Sequence, residues 1–265
     1  ATTARGVSLR IRKPGAGPDA LKLVASGRLD LGVLDIHDLG IARSRGVDVV
    51  GVGALVREPL AALVARADVE RPRALEGRRV GVSGLPSDPA FLRAIIGTDG
   101  GDVRRVRQVT IVFNAVRSLI SGKVDAAPVF WNAEGVALRS RGVRVREFRV
   151  ERFGAPRYPE VVLITSRRTL ERRRDRVVRA LRAIRDGLRT TREDPAAAVR
   201  QISAEAGDPG TELIAAQLEA VTPTFSEDLR LDRAVLERWA DFDAKFGIVD
   251  ERPDVGRAFD FTVAR

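Results

Sequence analysis

The sequence of 265 residues contains no cysteine and no methionine, and it has a single histidine, His37. Without cysteine, the chain as given forms no disulfides or thiolate zinc sites, and it offers no cysteine nucleophile or lipid-anchoring cysteine. A metal site would have to depend on carboxylates, and the sequence has no calcium-loop pattern. We therefore expect neither a metal ion nor another cofactor.

Groups for catalysis are equally scarce. A Ser-His-Asp arrangement would have to use His37, and no GxSxG motif supplies a nucleophile on a sharp turn. The segment GVSGLPSD contains Ser83 and Ser87 but lacks the spacing of that motif. The scarcity of catalytic residues favours a binding protein over an enzyme. The alternative is an enzyme that uses His37 and a carboxylate as an acid-base pair.

Long apolar runs and a starting methionine are also missing. The best apolar candidates, VVGVGALV and VVLIT, have the length of strands, whereas a membrane-spanning helix needs roughly 20 residues. We therefore expect no membrane span. From the absence of Met at position 1 we expect that an N-terminal segment, such as an export signal, precedes the sequence.

Lysine is rare, although the formal net charge is +10 at pH 7. Only four of the 46 basic residues are lysine, and the arginines are spread along the chain rather than gathered in one stripe. In the densest arginine segment, LERRRDRVVRALRAIRDGLR, apolar residues recur at helical spacing, so the arginines fall on the opposite face. We favour a solvated helix face over a phosphate-binding surface and expect no nucleic-acid partner.

What is present is an alternation of strand-like and helical segments. The pattern predicts strands at LDLGVLD, DVVGVGALV, RRVGVSG, RQVTIVF, KVDAAPVF and VREFRV, with helices between most of them. The strand-like segments VSLRI, PLAALVAR and RYPEVVLITSRRTL complete the set, and the remainder of the chain reads as helices. This alternation predicts an α/β fold with helices covering parallel or mixed sheets.

One β-α-β module occurs twice. SGRLDLGVLDIHDLGIARSRGV (26–47) and SGKVDAAPVFWNAEGVALRSRGV (121–143) share an SG that ends a helix, an Asp, a Gly and an SRGV turn. The order of elements agrees as well, so we interpret the pair as a structural duplication. The two copies differ most where strands lead into helices. Because ligands of α/β proteins bind at the carboxyl ends of strands, we expect a ligand site at these variable positions.

The candidate ligand-binding residues follow strand ends or lie where the chain crosses between the modules. They are Asp35, His37, Asp38, Ser83, Leu85, Ser87, Asn114, Trp131, Asn132, Glu134 and Tyr158. Several have a structural alternative. Trp131 could stack on a flat ligand or cover the core, and Glu134 could pair with an amino group or occupy a first helical turn, where the dipole favours carboxylates. His37 could contact a ligand or cap a helix, and Ser87 and Asn114 could cap theirs.

Four segments, in order, resemble the type II periplasmic substrate-binding proteins of ABC importers. They are DALKLVASGRLDLGVLD, LEGRRVGVSGLPSDPAFLRAI, VDAAPVFWNAEGVALRSRGV and YPEVVLITSRRTLE. The resemblance is to the branch that binds thiamine pyrimidine precursors, riboflavin, alkanesulfonates or nitrate. It implies a two-lobed periplasmic-binding-protein type II fold, in which each lobe has a mixed, mostly parallel sheet flanked by helices. A cleft between the lobes and a helical C-terminal tail complete the expected architecture.

The resemblance also divides the chain. We expect residues 1–75 to form the first lobe, without the strand, loop and helix with which members of the family usually begin. Residues 76–159 would form the second lobe. Residues 160–265 would supply a crossing strand and C-terminal helices that pack back across the lobes. Tyr158, the only tyrosine, would then lie at the hinge or the cleft.

The implied function is that of a solute-binding component, not an enzyme. Such a protein captures a small molecule and delivers it to an ABC transporter permease, its only expected protein partner. We expect a monomer in an extracytoplasmic location, either periplasmic or at the cell surface. It would be free or lipid-anchored through a preceding segment.

The predicted loops favour one class of ligand. They carry two aromatic residues, two amides and three carboxylates: Trp131, Tyr158, Asn114, Asn132, Asp35, Asp38 and Glu134. A flat heteroaromatic with amino or amide edges suits them better than a sulfonate, which needs convergent donors and few negative neighbours.

We expect a thiamine pyrimidine precursor first and riboflavin second. The alternative is an alkanesulfonate, taurine or nitrate-like anion. A pyrimidine-precursor synthase and the effector domain of a transcription regulator remain further alternatives. The related fungal synthase, however, has a cysteine-rich motif that this sequence lacks.

Overall fold

A computed structural model describes residues 2–4, 7–12, 17–84, 88–112, 114–206 and 210–264. The strands are β1 (Thr2–Ala4), β2 (Val7–Leu9), β3 (Gly32–Asp35), β4 (Val49–Ala54), β5 (Ala61–Arg66), β6 (Arg79–Val82), β7 (Arg107–Thr110), β8 (Ala126–Phe130), β9 (Val145–Arg149) and β10 (Val161–Ser166). The helices are α1 (Gly17–Ala25), α2 (Ile36–Ser44), α3 (Asp88–Thr98), α4 (Ala115–Ile120), α5 (Val136–Ser140), α6 (Arg167–Glu193), α7 (Pro195–Ala206), α8 (Thr211–Val221), α9 (Arg233–Phe246) and α10 (Val255–Ala258).

Two sheets carry the fold. The first has the order β3-β10-β4, and the second has the order β7-β6-β8-β5-β9. Strand β10 is antiparallel to both of its neighbours, and so is β5. All other strands of each sheet point in one direction, which confirms the expected mixed and mostly parallel α/β arrangement.

The two antiparallel strands are exchanged between the sheets. Strand β5 follows β4 of the first sheet along the chain but hydrogen-bonds within the second, and β10 follows β9 of the second sheet but hydrogen-bonds within the first. The strand expected to cross between the lobes corresponds to β10, which lies between β3 and β4. The division at residue 75 grouped β5 with the first lobe, whereas the hydrogen bonding of this strand lies in the second sheet. Two linkers, at 55–60 and 150–160, consequently connect the sheets.

The duplicated sequence corresponds to matching backbone. In each copy two strands flank the exchanged strand: β3 and β4 flank β10, and β8 and β9 flank β5. The shared glycines of the SRGV turns, Gly46 and Gly142, have φ of 78° and 72°, which favours glycine. Their N–H groups donate hydrogen bonds to the backbone carbonyl oxygens of Arg43 and Arg139, at 3.0 and 2.9 Å respectively. The shared positions therefore specify helix ends, as the duplication predicts.

The helical segment after β8 begins irregularly. The segment NAEGVALRSRG is predicted as a helix, and Trp131–Gly135 forms a π-helical turn that runs directly into α5. In the first copy the corresponding strand passes straight into α2, because Asp35 accepts a hydrogen bond from the His37 N–H and caps that helix. The N-terminal segment VSLRI contains the predicted strand as β2, which among the described residues pairs with β1 in a separate two-stranded sheet.

The main hydrophobic core extends across both sheets. It contains Leu34 from β3, Ile36 from the start of α2, Leu63 from β5, and the side chains of Trp239 and Phe242 from α9. Helix α9 contacts both α2 and α3. The side chain of Trp239 is fully buried in this core. Within the described residues, no helix combines the length and the apolar character that crossing a bilayer requires.

Candidate functional site

The end of β3 places three of the predicted residues together. Asp35 closes the strand, and its Oδ1 accepts a hydrogen bond from the His37 N–H at 2.7 Å. His37 is buried in the first turn of α2, while Asp35 and Asp38 are half-buried. Burial raises the pKa of Asp38 to about 6, and the neighbouring charge of Asp35 adds to this, while His37 opposes it. The predicted loop site therefore has an acidic face beside a buried histidine.

His37 is paired with a residue far away in the sequence. Its Nδ1 lies 2.7 Å from Oδ1 of Asp243, which is fully buried on α9. Trp239 Nε1 lies 3.3 Å from the same nitrogen. Burial alone would lower the pKa of His37, but the charge of Asp243 and the hydrogen bond to it raise the pKa to about 10. Burial raises the pKa of Asp243, and His37 opposes this effect.

Glu160 connects this cluster to both linkers. Its Oε2 accepts hydrogen bonds from the N–H groups of Leu60 at 2.8 Å and Ala61 at 3.1 Å. Its backbone carbonyl accepts from Ile36 N–H at 3.0 Å, so one residue of the second linker holds the first linker and the start of α2. Burial raises the pKa of Glu160 to about 8, with the charge of Asp35 adding to this and His37 opposing it.

Tyr158 lies beside the same cluster on the second linker. Its ring packs edge-on against His37 with 4.9 Å between the ring centres, and its side chain is fully buried. The hydroxyl has no hydrogen-bond partner among the described residues. Burial, followed by the charge of Glu160, raises the pKa of Tyr158 well above its ordinary value. The hinge position expected for this residue stays consistent with these contacts, whereas contact with a ligand stays a prediction.

Trp131, at the matching strand end of the second sheet, is packed into the protein. It is only 5% exposed, and its Nε1–H donates to the carbonyl of Pro59 at 3.1 Å. The guanidinium carbon of Arg149 lies 3.8 Å from the centre of its ring. The backbone N–H of Trp131 also donates to Leu60 O at 2.9 Å. These contacts agree with the alternative in which Trp131 covers the core, and stacking on a ligand stays a prediction.

The remaining predicted residues are dispersed around the second sheet. Glu134 Oε2 accepts from the Phe130 N–H at 3.1 Å, and Asn114 is exposed before α4 without capping that helix through its side chain. Asn132 has a buried Oδ1 with no partner in the described part of the chain. Ser83 donates to the carboxylate of Asp88 at 2.9 Å. Leu85 and Ser87 lie outside the described residues.

The structure therefore brings Asp35, His37 and Tyr158 together and adds two residues that the sequence prediction missed. Glu160 could have been suspected, because it follows Tyr158 closely in the segment RYPE and precedes an apolar strand. Asp243 carries no such signal, since it lies in an ordinary amphipathic helix.

The cluster is acidic. Asp35 and Asp38 are its half-buried, partly accessible carboxylates, whereas Glu160 is buried. No Lys or Arg of the described chain forms a salt bridge with Asp35, Asp38, Glu160 or Asp243. Such an arrangement can accept hydrogen bonds from amino groups or hold a cation. Asp35, His37 and Glu160 each place one possible metal-ligand atom within 4.8 Å of the others.

Comparison with known proteins gives both a family and a fold. A family model described as NMT1/THI5 like matches residues 3–198. A formylaminopyrimidine-binding protein of Halalkalibacterium halodurans is 31% identical over 169 residues, which cover 63% of this chain and 51% of that protein. The chain therefore spans about half the length of this relative.

Two further proteins match over most of the chain. A 4-amino-5-hydroxymethyl-2-methylpyrimidine phosphate synthase of Aspergillus parasiticus is 24% identical over 266 residues, which cover 92% of this chain and 75% of that protein. The structure of the periplasmic aliphatic sulphonate-binding protein of Escherichia coli superposes with a TM-score of 0.77 at 19% identity, covering 92% of this chain and 84% of that one. At that identity the similarity shows the two-lobed periplasmic-binding-protein fold and nothing about the ligand.

Proposed function

Because the chain belongs to the NMT1/THI5-like family, we propose that it is the solute-binding component of an ABC import system. Its ligand is a small amino-substituted heteroaromatic molecule, bound between the two sheets. A thiamine pyrimidine precursor is the first choice and riboflavin the second. The relative that binds formylaminopyrimidine supports this choice.

The observation that carries the ligand class is the acidic end of β3. Asp35 and Asp38 are half-buried there, with Glu160 behind them and no basic salt-bridge partner in the described chain. Carboxylates accept hydrogen bonds from an amino group and stabilise a protonated ring nitrogen, but they repel a sulfonate or nitrate. The acidic charge therefore favours an aminopyrimidine over the anions that other proteins of this fold bind.

Titration of the purified protein separates the ligand classes. We expect formylaminopyrimidine or 4-amino-5-hydroxymethyl-2-methylpyrimidine to raise the melting temperature, because a ligand at 100 times its Kd stabilises the folded state by about 2.7 kcal/mol. Riboflavin, taurine and nitrate are the comparison compounds. A shift with taurine or nitrate, and none with a pyrimidine, would contradict the assigned ligand class.

Asp38→Asn tests the acidic face directly. We expect it to weaken pyrimidine binding about tenfold, because a hydrogen bond from a donor to a charged acceptor contributes about 1.5–3 kcal/mol. The change is measured by isothermal titration calorimetry. Asp175→Asn, at an exposed position of α6, is the matched control and should bind like the wild type. Equal affinities for all three proteins would remove Asp38 from the site.

Binding without chemistry and delivery to a permease are the remaining parts of the proposal. Mass spectrometry should recover the pyrimidine unchanged after long incubation, and a modified product would contradict the binding function. In the source organism, the protein should fractionate outside the cytoplasm, and deletion of its gene should abolish uptake of labelled pyrimidine. The wild-type gene should restore uptake, and undiminished uptake in the deletion strain would contradict delivery.

A further inference from the structure

The cluster behind the acidic face contains the components of a metal site. Asp35 comes from the end of β3, His37 from the first turn of α2 and Glu160 from the linker into β10, and one ligand atom of each lies within 4.8 Å of the others. His37 is 6% exposed and Glu160 1% exposed. Asp35 is half-buried, so a metal ion would reach the cluster from the solvent past Asp35.

Each of these side chains is oriented by a second partner. His37 Nδ1 is held by Asp243 at 2.7 Å, which leaves Nε2 as the nitrogen available to a metal. Asp35 Oδ1 is held by the His37 N–H, and Glu160 Oε2 by the N–H groups of Leu60 and Ala61. A histidine whose far nitrogen contacts a carboxylate, and carboxylates fixed by further hydrogen bonds, are the usual surroundings of a protein-bound metal.

Carboxylates form most of this cluster. Asp35, Glu160 and Asp243 converge on one histidine, and no Lys or Arg of the described chain forms a salt bridge with them. Imidazole nitrogen and carboxylate oxygen are both common ligands of Zn²⁺.

Tyr158 gives an independent indication. Its hydroxyl is fully buried beside His37 and has no hydrogen-bond partner among the residues that the structure describes. Buried polar groups without partners are rare in folded proteins and call for an explanation such as a water molecule or an ion. A hydrated metal at the cluster would supply that partner.

We propose that Asp35, His37 and Glu160 bind one divalent transition-metal ion through His37 Nε2 and one oxygen of each carboxylate. One nitrogen and two carboxylate oxygens suit Zn²⁺, and they leave a coordination position for water or a ligand. Asp243 is a positioning residue that orients the His37 ring. The ion connects the β3–α2 junction with the second linker and, through Leu60 and Ala61, with the first.

This site does not depend on the proposed organic ligand, so it is tested without one. The full-length protein is stripped with a chelator, and Zn²⁺ is titrated by calorimetry, with Mg²⁺ and Ca²⁺ as comparisons. We expect one equivalent of Zn²⁺ to bind and to raise the melting temperature. The absence of stoichiometric Zn²⁺ binding by the folded protein would overturn the proposal and leave pyrimidine binding unaffected.

Isosteric variants assign the ligands. Asp35→Asn and Glu160→Gln should each lower Zn²⁺ affinity at least tenfold, and Asp243→Asn should lower it about 10- to 100-fold through the orientation of His37. Asp175→Asn is the control that should bind like the wild type. Unchanged affinity in both Asp35→Asn and Glu160→Gln would overturn the assignment.

If a variant lacks a cooperative melting transition, the visible spectrum of Co²⁺ bound to the wild-type protein tests the metal site instead. This spectrum should indicate four or five ligands, including histidine nitrogen. The spectrum of hexahydrated Co²⁺ would count against the site.

Discussion

Glu151 is a carboxylate in an unfavourable environment within the second linker. One of its oxygens is buried and has no hydrogen-bond partner in the described chain. Burial raises the pKa of Glu151, although Arg149 and Arg152 oppose the shift. A carboxyl group with a raised pKa in the folded state binds a proton more tightly there than in the unfolded chain. Its ionisation therefore removes stability as the pH rises through that pKa.

Glu151→Gln should consequently stabilise the protein at pH 7 to 8. The gain should shrink towards pH 4, where the wild-type carboxyl group is also protonated. Melting temperatures of both proteins across this pH range give the difference. Glu171→Gln, at an exposed position of α6, serves as the control. A gain that is equally large at pH 4 would contradict the role of ionisation.

Individual side chains of the candidate site were predictable only in part. Asp35, His37 and Asp38 follow a strand end in the sequence, and strand ends collect ligands in α/β folds. Asp243 lies 206 residues from His37, and no periodicity indicates that the two would form a buried pair. The packing of Trp131 under Arg149 was equally inaccessible, because the turn after β8 and the end of β9 meet only once β5 has inserted between these strands.

At the scale of elements, the ends of helices are the best-specified features of the chain. Gly142 ends α5 with a φ of 72°, and a Cβ at that position would meet nothing within 4 Å. Gly187 lies exposed inside α6, and a Cβ there would likewise meet nothing within 4 Å. The two positions therefore separate backbone conformation from packing.

Gly142→Ala and Gly187→Ala should have opposite effects. We expect Gly142→Ala to destabilise the protein by about 1–2 kcal/mol, because L-residues are strained in the left-handed region. Gly187→Ala should stabilise it by up to about 1 kcal/mol, because alanine is the better helix former. Chemical denaturation measures both. Stabilisation by Gly142→Ala would contradict the assigned turn.

At the scale of the whole molecule, the C-terminal helices complete the main core. The family model matches residues 3–198, whereas Leu236, Trp239 and Phe242 of α9 are buried in the main core, and α9 contacts α2 and α3. Helix α9 also supplies Asp243 to His37. The matched segment therefore depends on residues beyond it for both its core and its candidate site.

A chain that ends at Ala206 should lack a cooperative thermal transition and a native near-ultraviolet circular dichroism spectrum. Loss of Trp239 alone, a fully buried side chain, would cost about 3–5 kcal/mol. Full-length Trp239→Phe is the control, and it should unfold cooperatively at a lower temperature. Cooperative unfolding of the shortened chain at the wild-type temperature would show that the core is complete without α9.

The sequence by itself determined the α/β class and indicated the duplicated module, a strand at β10 and candidate residues at strand ends. Each of these depends on local patterns: apolar periodicity, glycines at helix ends and a motif repeated in order. Only the tertiary structure decided that β5 joins the second sheet, that Glu160 holds both linkers and that Asp243 pairs with His37. These contacts join residues far apart in the chain, and strand exchange and helix packing set their geometry in three dimensions.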